Sequence, residues 1–226
     1  MKSNGGKTKV LYLKKTLANI HIDTFVLSKK NSVMKNILDR IEKLESHNPH
    51  IKLYKDFGKD IILKHMGKII GEIDNQYINF LKFTNGASIL DYCFLGLKNN
   101  KLGINLYENH AELWLMNYNL SQKYWGCIID STGNTFGYLD QRNESGDHYF
   151  GYYSIHESEK IYLVASSFKI FMNKFLMQIE ETLKNNPEAI SLINNNWFTE
   201  KMHLIKDDIE MEIFLDSSKS TIYQKK

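Results

Sequence analysis

One stretch constrains the fold more than any other. In Ser167–Leu183, the residues Phe168, Phe171, Met172, Phe175, Leu176, Ile179 and Leu183 recur at spacings of three and four. On a helix that turns once every 3.6 residues, this makes one broad apolar stripe. Ser166 or Ser167 supplies the hydroxyl that caps such a helix at its first turn. A helix carrying three phenylalanines on one face must lie on a sheet, or it would present a large apolar patch to water. The rest of the chain has the material for that sheet and its core. Of 226 residues, 42% are hydrophobic and 12% aromatic, which excludes a disordered chain. With 13 glycines and 2 prolines, collagen-like and low-complexity classes are excluded too.

Before this helix the pattern is mixed. Val33, Met34, Ile37, Leu38, Ile41 and Leu44 predict a helix over 31–46, ended by Ser46-His47-Asn48-Pro49. A short helix is expected from Asp74 to Phe83, with Asn85-Gly86 stopping it. Strands are expected within 9–27 and 51–63, at Ser88–Leu97 and Leu102–Leu106, with a helix around Ala111–Asn117. The middle reads as an antiparallel meander of Tyr124–Ile129, Thr135–Asp140, His148–Ile155 and Lys160–Ala165, joined by turns rich in Gly, Asn and Ser. After the phenylalanine helix, Asn186-Pro187-Glu188 predicts a shorter one. Alternation over 208–215 then predicts an edge strand.

No catalytic motif emerges. The eight histidines lack zinc-site spacing, and no phosphate-binding glycine loop or nucleophile elbow is present. Asp130, Asp140, Asp147, Glu157 and Glu159 cluster in the β-rich middle. They are open to two readings, acid–base chemistry or turn formation on a solvated face. The rings of Trp125, Phe136, Tyr138, Tyr149, Phe150, Tyr152 and Tyr153 are similarly open to base stacking or to strand packing. Packing is favoured, because few cations interleave with them.

Cys93 and Cys127 read as buried, reduced thiols, and no apolar run is long enough for a membrane helix or a signal sequence. The expected location is therefore cytoplasmic. Net charge is +3, but it is unevenly spread. Residues 1–70 hold 15 basic and 6 acidic residues, a net +9, which leaves −6 on the remainder. An acidic remainder suits a basic protein partner rather than nucleic acid or membrane.

Four motifs in order carry a family resemblance. Tyr77-Ile78-Asn79-Phe80-Leu81-Lys82-Phe83-Thr84-Asn85-Gly86 resembles the first signature of the SUKH superfamily, the bacterial relatives of the yeast Smi/Knr cell-wall regulator. Tyr92–Leu97 resembles its following strand, Ile128–Asp140 its hairpin, and Ala165–Met172 the start of its last helix. The Leu-Pro pair usual before the first signature is replaced by Glu72-Ile73-Asp74-Asn75. The resemblance implies an α+β fold with one curved, mostly antiparallel sheet and helices packed against it. It places a SUKH-like domain at 70–183, flanked by a basic extension over 1–69 and a helix and edge strand over 184–226. It also implies a binding protein. Many such bacterial proteins are immunity proteins that inhibit a cognate toxin without catalysis and without a cofactor or metal.

The expected contact surface comprises the acids Asp130, Asp140, Glu144, Asp147, Glu157 and Glu159, with Trp125, Tyr152 and Tyr153 as aromatic anchors, unless those rings pack the core. A regulatory scaffold of the same fold is the first alternative. A hydrolase using the acidic cluster beside His148 is the second.

Overall fold

The chain is described from a computed structural model that covers residues 33–54, 73–98, 105–154, 156, 161–192 and 208. The strands expected within 9–27 and over 208–215 lie outside these residues, apart from Asp208. So do Glu157, Glu159 and most of 51–63 and 102–106.

Helix α1 spans 33–45, and β1 (Ile51–Leu53) follows it. Then come α2 (Asn75–Leu81), β2 (Ala87–Ile89), β3 (Tyr92–Phe94), α3 (Leu106–Met116) and α4 (Tyr118–Ser121). The remainder is β4 (Tyr124–Ile129), β5 (Thr135–Arg142), β6 (His148–Tyr153), β7 (Ile161–Ala165) and α5 (Phe168–Asn185). The seven strands form one sheet in sequence order, every neighbouring pair antiparallel. This is the expected α+β architecture, an unclosed antiparallel sheet with helices against it.

The phenylalanine helix does what its stripe requires. Phe168, Phe171, Met172, Phe175, Leu176 and Ile179 are buried, and Ser167 caps the first turn by accepting from the Ile170 amide. The Phe171 ring lies 4.5 Å from that of Phe150 and 5.5 Å from that of Phe136. Phe175 meets Tyr92 at 5.0 Å and Phe94 at 5.7 Å. Helix α1 joins this same core through Met34, Ile37, Leu38 and Ile41. Its Arg40 guanidinium donates to both carboxylate oxygens of Glu180 on α5, at 2.8 and 3.0 Å. The opposite face of the sheet holds a smaller cluster, in which Leu113 of α3 and Leu120 of α4 cover Tyr124, Leu139, Tyr149 and Tyr153.

Four expectations change. Ser88–Leu97 is not one strand but holds most of the β2–β3 hairpin, which turns at Leu90 and Asp91. Asn85-Gly86 does not end α2, which stops at Leu81 with Lys82 as a right-handed cap. Instead, the Asn85 side-chain oxygen accepts from the Leu97 and Lys98 amides at 2.8 and 3.1 Å, tying down the chain after β3. Gly86 sits at φ +89°, and any Cβ there would collide with the Phe94 carbonyl. Leu106 opens a helix rather than closing a strand, because Asn105 caps it by accepting from the Glu108 amide at 3.0 Å. The helix expected at Asn186-Pro187-Glu188 is a turn. The Asn48 side chain donates to the Pro187 and Ala189 carbonyls at 2.9 and 3.2 Å and holds the segment out of helical geometry.

Helix α2 is fixed at both ends of its buried face. The Tyr77 hydroxyl donates to the Leu95 and Cys127 carbonyls at 2.6 and 2.9 Å, beneath the sheet. The Asp74 carboxylate accepts from the Gln76 and Tyr77 amides, both at 2.9 Å and both through Oδ1. Burial pushes the Asp74 carboxyl above its ordinary value of 3.8; the Tyr77 amide and His148 pull it down, and Asp147 pushes it up. Folded Asp74 thus keeps its proton to higher pH than the unfolded chain does. Between 3.8 and that raised value the folded state binds more protons, so stability falls as pH rises through the window.

Two outcomes are expected. Asp74→Asn keeps the accepting Oδ1 and removes the desolvated charge; it should flatten the decline in urea-unfolding stability as pH rises above about 4. A decline as steep as that of the unmodified protein counts against the assignment. Phe171→Ala should cost about 3–5 kcal/mol in the same measurement, whereas Met177→Ala, on the exposed side of α5, should change stability by about 0.5 kcal/mol or less.

Candidate functional site

The strand register decides which of the expected contact residues stand together. The β4–β5 turn contains Asp130, and the β5–β6 turn contains Glu144, so the two lie at opposite ends of the sheet. β5 has eight residues, which at about 3.3 Å each separates the two turns by about 25 Å. Asp140, Glu144 and Asp147 share one end, and Asp130 is on its own at the other among the described acids of the set.

Asp130 is a turn former. Its Oδ1 accepts from the Thr132 amide at 2.9 Å, the Thr132 hydroxyl at 2.7 Å and the Asn134 amide at 3.0 Å, and its Oδ2 accepts from the Asn134 side chain at 3.2 Å. At the other end, Asp140 and Glu144 are exposed and Asp147 is half-buried. The hairpin that carries the latter two is braced. The Asn143 side chain accepts from the Asp147 amide at 2.9 Å and donates to the Ser166 carbonyl at 3.0 Å, while Arg142 donates to the Gly146 carbonyl at 2.7 Å. The Asp140 amide donates to the Lys123 carbonyl at 3.0 Å, which fastens this end to the segment after α4.

The three aromatic anchors are buried. Trp125, Tyr152 and Tyr153 keep only 7%, 6% and 5% of their surface in contact with solvent. Tyr152 packs on Phe136 at 5.0 Å, and Trp125 stacks on Tyr138 at 5.7 Å. Alternate side chains of a covered sheet face inward, and these rings are part of the two cores. They have little surface left to offer a partner.

The rings of His110, Trp125, Tyr138 and His148 form a continuous series of contacts from α3 across β4, β5 and β6. Burial lowers the pKa of His110 below its usual 6.5, so its imidazole is neutral near pH 7. His148 Nδ1 donates to the Leu139 carbonyl. A small cleft of about 80 Å³ at this end is lined by Val33, Met34, Asn75, Gln76, Asn79, Asp147 and Lys169. It takes in Asp147 but neither Asp140 nor His148, so the groups of the hydrolase alternative do not converge on it. Among the described residues no three His, Cys, Asp or Glu side chains gather as a metal site, and no helix is long and apolar enough to cross a membrane.

Sequence reasoning missed a surface feature nearby. Leu115, Met116 and Tyr118, at the junction of α3 and α4, are 77%, 73% and 58% exposed. One signal was available: α3 carries apolar residues all round rather than on one face, and a helix of that kind is expected to be covered on more than one side.

With this geometry in place, comparison with known proteins identifies the central part of the chain. Residues 68–174 match the SMI1 / KNR4 family (SUKH-1), a span that includes the four motifs of the resemblance. No curated protein matches the chain. Residues 68–174 belong to the SUKH superfamily.

Proposed function

We propose that this protein is an immunity protein that neutralises a cognate toxin by binding it directly, without catalysis and without a cofactor. Membership of the SUKH superfamily carries the reading, since many bacterial members of that superfamily act in this way. The surface supports it. A braced, acidic end of the sheet presents Asp140, Glu144 and Asp147 in fixed positions. Such a surface steers a basic protein into encounter and opposes the approach of an acidic one. The proposed partner is therefore a basic toxin, met at this end of the sheet. Asp130 belongs to the turn at the far end, where Tyr152 and Tyr153 pair with Phe136 and Thr135, and the buried Trp125 has little surface to offer a partner.

Co-expression with the product of the adjoining gene tests the reading, with growth rescue and recovery of a complex as readouts. Neither rescue nor a complex with the unmodified protein would overturn it. Within a complex, Asp140→Lys combined with Glu144→Lys should slow association by about tenfold or more at low salt and weaken its salt dependence. An unchanged association rate would remove this end of the sheet from the interface.

A further inference from the structure

The knuckle between α3 and α4 has features of a built contact rather than of a packing defect. The inward side of both helices is well used: Leu106, His110 and Leu113 of α3 are buried, as are Leu120 and Ser121 of α4. The backbone between them is held by side-chain and main-chain bonds centred on Asn117. Its amide donates to the Leu113 carbonyl at 2.8 Å, its side-chain oxygen accepts from the Leu120 amide at 3.0 Å, and its carbonyl accepts from the Ser121 amide at 3.0 Å. The Ser121 hydroxyl donates to the Tyr118 carbonyl at 2.7 Å. Leu115, Met116 and Tyr118 are thus carried outward on a rigid corner. Little backbone entropy remains to be lost when a partner covers them. Tyrosine and methionine are also side chains enriched at the centres of protein interfaces.

The charges around the corner indicate what covers it. Glu108 and Glu112 are exposed on α3, and no basic residue stands in its last turn. The negative end of the helix dipole therefore faces the knuckle without a cation of its own helix. Asp140 adjoins through the bond of its amide to the Lys123 carbonyl, and around the corner and the adjoining hairpin the exposed acids Glu108, Glu112, Asp140 and Glu144 outnumber the exposed cations Lys123 and Arg142. Two copies of the chain meeting here would set acid against acid. A partner presenting an apolar pocket rimmed by lysine or arginine would satisfy both the side chains and the charge.

We propose that Leu115, Met116 and Tyr118 form the apolar centre of the docking surface, inserted into a hydrophobic pocket on a basic partner protein, with the acids at Asp140 and Glu144 steering the approach. This rests on the binding function proposed above and assigns it an energetic centre. The two roles separate kinetically: a steering charge acts on association, whereas a buried apolar centre acts on dissociation.

The test uses the full-length protein and the product of the adjoining gene, with association and dissociation followed in real time. Leu115→Asn combined with Met116→Gln keeps size and charge nearly constant. Because both side chains are exposed, the thermal midpoint should not change. Affinity should fall by at least about 30-fold, almost entirely through faster dissociation. Binding within about threefold of the unmodified protein would overturn the inference while leaving the proposed function standing. If the unmodified protein itself forms no complex, the proposed function falls first, and this inference falls with it. Sedimentation of the protein alone provides a second check: a dimer that the double substitution dissociates would assign the knuckle to a second copy and overturn the partner named here.

Discussion

The structure depends on one layer of aromatic side chains held dry between the sheet and α5. Phe136 and Phe150 from neighbouring strands meet Phe171, and Tyr92 and Phe94 meet Phe175. Each ring removes a large apolar surface from water and gains edge or offset contacts besides. The layer also recruits elements beyond the sheet. Phe168 takes the Tyr77 ring edge-on at 5.1 Å, which seats α2, and α1 packs into the same cluster. Short strands such as β1, β2 and β3, three residues each, gain their stability from this shared layer rather than from their own pairing.

Burying so much apolar surface leaves polar groups that must be satisfied, and side-chain amides and hydroxyls meet much of that need. Asn85, Asn105, Asn117 and Asn143 each bond backbone amides where the chain turns. The Tyr77 hydroxyl takes two carbonyls, and Asp208 accepts from the Ser166 amide at 2.7 Å beside the start of α5. An unmet buried donor or acceptor costs on the order of 1–3 kcal/mol, so these bonds make the turns rigid as well as stable. Rigidity is what a binding surface requires. The acidic hairpin and the α3–α4 corner are both held by asparagine, at the end of the sheet where β4 begins and β5 ends.

Much of the fold was legible in the sequence because its signals are local. The stripe of α5 and the limits of β4 follow from periodicity and from the serine and turn residues beside them. The errors arose where a distant group decided a local conformation. Asn48 holds residues 186–189 in a turn from a position well over a hundred residues away. Asn85 bonds forward to Leu97 instead of closing the helix before it. The candidate site was less legible. Trp125, Tyr152 and Tyr153 are aromatic residues in acidic surroundings, and only the packing of α5 on one face and of α3 on the other shows that they are buried.

By itself, then, the sequence determined the class of fold, the antiparallel meander, the family and the acidic character of the main domain. Those properties follow from local periodicity, short motifs and summed charge, none of which needs knowledge of distant contacts. Tertiary structure alone decided that three expected anchors are core residues, and that Leu115, Met116 and Tyr118 are exposed. The physical reason is that burial and proximity are set by strand register and by which helix covers which face, and both are fixed by contacts between residues far apart in the chain.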